Sequence, residues 1–152
     1  MNGRISLNML SKACEYGIRA VLYIAQHGRG NARLSLKQVA KGTDSPEPFT
    51  AKILQKLVKH KIVSSQKGPT GGFYIKPESL QLTVNEIIKA IDGGEILNSC
   101  VLGLRYCSDT KPCPVHHEVK EHTTALREVM KKQTLGQLAN EIAAGKSVLK
   151  RN

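Results

Sequence analysis

The 152-residue sequence predicts a mostly α-helical fold that carries one small β-wing. Three observations predict it. Apolar residues recur at helical spacing in several segments. Ser35 and Thr83 are each followed three residues later by Gln or Glu, which marks a helix start. Two short β-prone runs also flank the stretch KGPTGG, whose Gly and Pro suit a hairpin loop.

The length of the chain is typical of one domain with its own core. Charged residues interrupt the opening segment at helical intervals, so the sequence predicts neither a signal peptide nor a membrane span. We therefore expect a cytoplasmic protein without a membrane partner, whose four cysteines are reduced thiols.

The formal charge of +11 is concentrated in one part of the chain. Residues 33–76 hold nine basic and two acidic residues, a balance of +7, whereas 77–113 hold three basic and five acidic, a balance of −2. High pI alone is equally compatible with a solvated lysine-rich surface and with a nucleic-acid partner. The layout of the basic segment decides between the two.

Apolar residues recur at helical spacing from Leu10 to Ile24, which predicts a first helix that HGRGN ends. Its apolar stripe includes Cys14, which we interpret as a small core residue rather than a ligand. The neighbouring Glu15 should point away from that stripe.

Two further helices follow, joined by the tight turn GTDSPEP. Ser35 is the predicted N-cap of the first, with Gln38 completing a capping box. The second runs over roughly 46–60, with Ser45 as its predicted cap. Its outer surface should carry Thr50, Lys52, Lys56 and Lys59.

The β-prone runs IVSSQ and FYIK then predict a wing over about 62–76, with Lys67 leading its loop. Helix, turn, lysine-bearing helix and wing together predict a winged helix-turn-helix domain. In such a domain the second helix enters the major groove and the wing contacts phosphate.

The remaining chain carries a capped helix, a cysteine-rich loop and a long polar helix. Thr83 and Glu86 predict the capped helix, and the long helix opens at Pro114. Its apolar stripe has the 4-3 spacing of a helix that pairs with a partner helix, and consists of Val115, Val119, His122, Leu126 and Val129. We predict a DNA-binding domain at 1–94, a cysteine loop at 95–113, the dimerisation and C-terminal helices at 114–142, and a flexible basic tail at 143–152.

These motifs resemble the Rrf-type winged-helix transcription regulators, the family that includes IscR and NsrR. The resemblance covers about residues 9–142 and rests on LSKACEYGIRAVLYIA, SLKQVA, PFTAKILQKLVKHKIVSS, KGPTGGFYI, LTVNEIIKAIDG and the spaced cysteines. It implies a homodimer that binds palindromic operators in double-stranded DNA. It also implies an iron-sulfur cluster, 2Fe-2S or 4Fe-4S, near the dimer interface, which can be absent from a purified apo form.

Cys100, Cys107 and Cys113 are the candidate cluster ligands. They are separated by six and five residues, which is too wide for a zinc knuckle built on Cys-x2-Cys pairs, whereas a loop can wrap them around a larger cluster. Iron-sulfur fits better than zinc. Zinc or another metal, thiol redox switching and no function stay open as alternatives.

Three residues compete for the fourth ligand position. His116 stands three residues after Cys113, the spacing of the ligating histidine in IscR-like relatives. Glu15 occupies the place where NsrR-like relatives have an acidic residue that reaches the cluster, across the dimer. His117 is the third candidate.

The candidate DNA contacts lie in the basic segment. We expect Glu47, Thr50 and Lys52 to read bases and Lys67 to bind phosphate. The complete set is Ser35, Glu47, Thr50, Lys52, Lys56, Lys67 and Thr70. The two prolines of SPEPFTAKI and Ala51 depart from relatives, so no relative's operator sequence is carried over.

The predicted function is a DNA-binding transcription regulator controlled by an iron-sulfur cluster that senses redox state, nitric oxide or iron supply. An enzyme is not expected, since the sequence has no Gly-rich cofactor loop, second cysteine set or Ser/His/Asp arrangement. No small-molecule substrate is expected either. The alternative is the same fold without a cluster, sensing through thiols or a protein partner.

Overall fold

The computed structural model describes residues 9–94 and 98–151. Its helices and strands are α1 Lys12–His27, α2 Leu36–Thr43, α3 Glu47–Lys59, β1 Ser64–Gln66, β2 Gly72–Tyr74, α4 Val84–Asp92, α5 His116–Lys132 and α6 Leu135–Ala143, with a short 3-10 helix Pro77–Gln81 before α4. The predicted fold class, helical with one two-stranded wing, is confirmed. Residues 1–8, 95–97 and 152, which belong to the predicted DNA-binding region, cysteine loop and tail, lie outside the described residues.

Helix α1 lies at the centre of the fold, packed against α2, α3, α4 and α6. It begins where the Ser11 side chain accepts a hydrogen bond from the Cys14 N–H at 3.0 Å. Cys14 is fully buried, as predicted for a core residue. The helix ends at His27 with Gly28 as its C-cap, within the stretch HGRGN that was predicted to end it.

The start of α2 follows the predicted capping box. The Ser35 N–H donates to the Gln38 side-chain oxygen at 2.8 Å, and the Gln38 N–H donates to the Ser35 hydroxyl at 3.2 Å. Helix α3 matches the predicted range within one residue, but Ser45 as its cap is wrong, because Pro46 occupies that position. The Ser45 hydroxyl instead forms hydrogen bonds within the α2–α3 turn.

The wing is the antiparallel hairpin of β1 and β2, in which Ser65 pairs with Phe73. Its loop needs glycine at position 71, where a Cβ would lie 2.1 Å from the Gln66 carbonyl oxygen. The N–H groups of Leu34 and Phe73 each donate to the other residue's carbonyl, at 2.9 and 2.8 Å. This pairing attaches the wing to the segment that precedes α2.

The C-terminal helices share the core of the winged helix. The Val84 N–H donates to the Gln133 carbonyl at 3.2 Å, and the Leu135 N–H donates to the Leu82 carbonyl at 2.8 Å. Leu135 of α6 is fully buried in the same apolar cluster as α1 and α4. The end of α5 is therefore joined by backbone hydrogen bonds to the start of α4.

The predicted stripe of α5 falls into two lines in the described structure. Leu126 packs against the chain's own core, and Val119 is half-buried. Val115, His122 and Val129 are exposed. Only this second line is open to a partner. None of the described helices is long and apolar enough to cross a membrane.

Candidate metal centre and nucleic-acid interface

The three loop cysteines and His116 line one cavity of about 220 Å³, between the cysteine loop and α5. Cys100 is buried, Cys113 is half-buried and Cys107 is exposed. His116 is the first residue of α5, and its N–H donates to the Cys113 carbonyl at 3.0 Å. The start of the helix thereby positions the imidazole beside the cysteines.

The ring of His116 lies between a thiol and a carboxylate. Its Nδ1 is 3.2 Å from the Cys107 Sγ, and its Nε2 is 2.8 Å from an oxygen of Asp109. The residue is only 3% exposed. The imidazole is therefore held by protein groups on both nitrogens rather than by water.

Asp109 also binds Lys120, whose ammonium lies 2.5 and 2.6 Å from the two carboxylate oxygens. Hydrogen bonds from Lys120 and His116 lower the pKa of Asp109 to about 2. The carboxylate is therefore ionised at neutral pH. Sequence analysis missed both Asp109 and Lys120. The sequence does place Lys120 one helical turn after His116, on the same face of the predicted helix.

The loop favours the thiolate form of Cys100. The backbone N–H groups of Leu104 and Leu102 donate to its sulfur, and with a hydrogen bond from the Cys113 side chain they hold the pKa of this thiol below its usual range. Cys14 behaves in the opposite way, because burial and the Asp92 carboxylate raise its pKa to about 12. Cys14 therefore stays protonated and does not have the character of a metal ligand.

The donor set at this cavity is three sulfurs and one imidazole. Among the described residues, no three His, Cys, Asp or Glu side chains form a group that could hold a single metal ion. Cysteine sulfurs, in some cases together with imidazole, are the ligands that iron-sulfur clusters use. The residues present are therefore compatible with an iron-sulfur cluster.

The other two candidates for the fourth ligand lie away from this cavity lining. Glu15 is half-buried in the first turn of α1, where its carboxylate pairs with the Lys12 ammonium at 2.8 Å. It does not line the cavity within this chain. His117 is exposed, and its ring meets that of His116 edge-on, with centroids 5.1 Å apart.

Most of the predicted DNA contacts are accessible. The exposed members are Ser35, Glu47, Lys52, Lys56, Lys67 and Thr70. The Lys56 ammonium donates to the Ile91 carbonyl at 2.7 Å and so ties α3 to α4. Arg33, which sequence analysis did not single out, stacks over the Tyr74 ring at 3.7 Å at the base of the wing.

Thr50 does not lie on the outer surface of α3, and that prediction is wrong. The residue is 1% exposed. Its hydroxyl donates to the Pro46 carbonyl at 2.9 Å and lies 2.7 Å from the Ser45 hydroxyl. Thr50 therefore stabilises the turn between the two helices instead of facing DNA.

Comparisons with known proteins agree with this architecture. The family model of Rrf2, described as an iron-dependent transcriptional regulator, matches residues 10–141. A protein of Aquifex aeolicus assigned as an HTH-type transcriptional regulator is 30% identical over 134 residues, which cover 87% of this chain and 92% of the relative.

Two solved structures share the fold. CymR, the global cysteine regulator of B. subtilis, gives a TM-score of 0.69 at 24% identity, covering 86% of this chain and 95% of CymR. IscR of T. potens gives 0.68 at 22% identity, covering 91% of each chain. The family match, which spans the winged helix, the cysteine loop and α5, shows that this chain belongs to the Rrf2 family of DNA-binding transcriptional regulators.

Proposed function

We propose that this regulator is a homodimer on a palindromic operator, and that an iron-sulfur cluster held by Cys100, Cys107, Cys113 and His116 controls its affinity for DNA. The observation that carries the proposal is the convergence of these four side chains on one cavity. When bound, the cluster supplies an iron centre that reacts with oxidants and nitric oxide.

The chain's own contacts support a route from this site to the DNA-binding unit. His116 opens α5, so a change in the order of the cysteine loop acts directly on the start of that helix. The other end of α5 is joined to α4 through the Gln133 carbonyl, and α4 packs against α1 and α3. Loop order thereby biases the position of the winged helix.

Exposed apolar side chains support the homodimer. The cysteine loop exposes Val101, Leu102, Leu104 and Tyr106, each by more than half of its surface. Val115, the residue before α5, and Val129 of α5 are exposed as well. Clusters of this kind mark surfaces that a partner covers, and the stripe on α5 has the heptad spacing of a helix pair.

Metal binding is tested with single variants purified without oxygen. We expect Cys100→Ala, Cys107→Ala and Cys113→Ala each to abolish the visible cluster absorbance, because thiolates are the obligatory ligands. Cys14→Ala is the matched control and should retain it, since that thiol is buried and protonated. His116→Ala should form a cluster with an altered spectrum, and Glu15→Ala should leave the spectrum unchanged.

Wild-type spectra in all three loop-cysteine variants would overturn the cluster proposal. An altered spectrum in Glu15→Ala together with an unaltered one in His116→Ala would transfer the fourth position to Glu15 of the second copy.

A second candidate is thiol sensing without metal. It is favoured by one observation, the hydrogen bond between the side chains of Cys113 and Cys100, of which the latter has a lowered pKa. Mass spectrometry of the oxidised, iron-free protein tests it. A Cys100–Cys113 disulfide that changes DNA affinity would support this candidate, and free thiols after mild oxidation would exclude it.

A further inference from the structure

Asp109 has no part in the function proposed above, yet its carboxylate is placed to orient the candidate ligand His116. One oxygen lies 2.8 Å from Nε2 of that ring, while Nδ1 lies 3.2 Å from the Cys107 sulfur. The imidazole is almost completely shielded from solvent, with 2% of its side chain exposed. Water therefore does not compete for either nitrogen.

An ionised carboxylate only accepts hydrogen bonds. The contact with Asp109 consequently requires the hydrogen of His116 to be on Nε2. A neutral imidazole carries one N–H, so Nδ1 must then bear the lone pair. That lone pair faces Cys107 and the cavity.

Lys120 fixes the carboxylate in turn. Its ammonium binds both oxygens of Asp109, at 2.5 and 2.6 Å. Lys120 and His116 lie one turn apart on α5, so both contacts of Asp109 come from one rigid helix. The Asp109 carboxylate of the loop is thereby held against α5, the helix that carries the His116 imidazole.

We propose that Asp109 is a positioning residue that holds His116 in the Nε2-protonated tautomer and so presents Nδ1 to the three cysteines. The part that concerns metal rests on the proposed function, whereas the tautomer is a property of the metal-free chain. Carboxylates that orient a ligating histidine in this way also raise its basicity, and their loss typically costs about 10–100-fold in metal affinity.

The tautomer is measured by ¹⁵N NMR of the metal-free, full-length protein, because the ¹⁵N shifts distinguish a protonated from an unprotonated ring nitrogen. The His116 signals are assigned by their loss in His116→Gln. We expect an unprotonated Nδ1 and a protonated Nε2 in the wild type. In Asp109→Ala the acceptor at Nε2 is lost, so the single tautomer should give way to a mixture in which Nδ1 is partly protonated.

Asp44→Asn is the matched control. Asp44 is exposed and adopts a left-handed conformation, φ 51°, that asparagine accepts. It should leave the His116 signals unchanged. Asp109 is itself 65% exposed, so Asp109→Ala should fold normally. A protonated Nδ1 in the wild type, or an unchanged tautomer in Asp109→Ala, would overturn the proposal.

Iron release to a chelator provides the second measurement. Anaerobically loaded Asp109→Ala should release iron about tenfold faster than wild type and Asp44→Asn. Equal rates would refute the effect on the cluster. A wild-type protein that binds no cluster would refute the proposed function alone, because the NMR comparison still decides the role of Asp109.

Discussion

At the scale of single residues, the candidate ligands of the cavity could be identified from the sequence. The loop cysteines are recognisable by their chemistry and spacing, and His116 by its distance from Cys113. Asp109 does not stand out, since its contact with His116 depends on the path of an irregular loop that has no period. Thr50 was misplaced because its polar side chain suggested a surface position. It stands three and four residues before the buried Ile53 and Leu54, on the buried face of α3, where its hydroxyl contacts Ser45.

The hydroxyls of Thr43, Ser45 and Thr50 form a chain that closes the α2–α3 turn, with distances of 2.9 and 2.7 Å between neighbours. Thr50→Val keeps the shape but removes the hydroxyl contacts with the Pro46 carbonyl and the Ser45 hydroxyl. We expect it to lower the free energy of unfolding by about 0.5–1.5 kcal/mol in urea titrations.

Thr70→Val is the control for this change, because Thr70 is exposed in the wing and its substitution should leave stability unaltered. Unchanged stability of Thr50→Val combined with weaker DNA binding would contradict the structural role and restore a direct contact with bases.

At the scale of elements, local chemistry predicted most of the boundaries. The capping boxes located the starts of α2 and α4, because both partners of each box lie within four residues. The apolar stripe of α5 was predicted as one surface that contacts a partner helix. The 4-3 spacing alone does not reveal that some of its residues pack against the core of the same chain. Leu126 faces the core for that reason, while Val129 remains open.

The wing carries a prediction for DNA. Lys67 is exposed at the start of the wing loop, within the segment of charge +7. Lys67→Ala should weaken binding equally for specific and random duplexes and reduce the log-log salt slope by about one, because one phosphate contact is lost.

Lys146→Ala removes an equally exposed charge outside that segment and should preserve the slope. The wing contact would be disproved if the Lys67→Ala and wild-type slopes coincide in fluorescence anisotropy titrations.

The buried and the exposed line of apolar residues on α5, represented by Leu126 and Val129, predict different effects of substitution. Val129 is 50% exposed, so Val129→Asp should separate the copies without unfolding the chain, because a buried unpaired charge costs several kcal/mol in an interface. Leu126→Asp places the charge against the chain's own core and should unfold it. Light scattering and circular dichroism distinguish the two results.

Val148→Asp is a control at an exposed apolar residue beyond α6, and it should remain dimeric. A dimeric Val129→Asp protein would exclude the open line of α5 from the interface.

Across the whole molecule, α1 lies at the centre, with the helix-turn-helix, α4 and α6 packed around it. The sequence predicted the order of these parts, but it could not predict that α6 shares their core, because a short apolar stripe does not specify which distant helix covers it. Leu135 at the start of α6 is fully buried there. The cysteine loop is consequently linked through α5 and α4 to the group of helices that includes α3.

The most direct test of the account compares the DNA affinity of the cluster-loaded protein with that of the same preparation after cluster removal. The duplexes are selected from random sequence, separately by each form, and both forms are titrated on both duplexes. We predict a change of about tenfold or more on at least one duplex, a coupling free energy of about 1.4 kcal/mol, and its loss in Cys107→Ala. Equal affinities of the loaded and stripped protein on both duplexes would contradict control by the cluster.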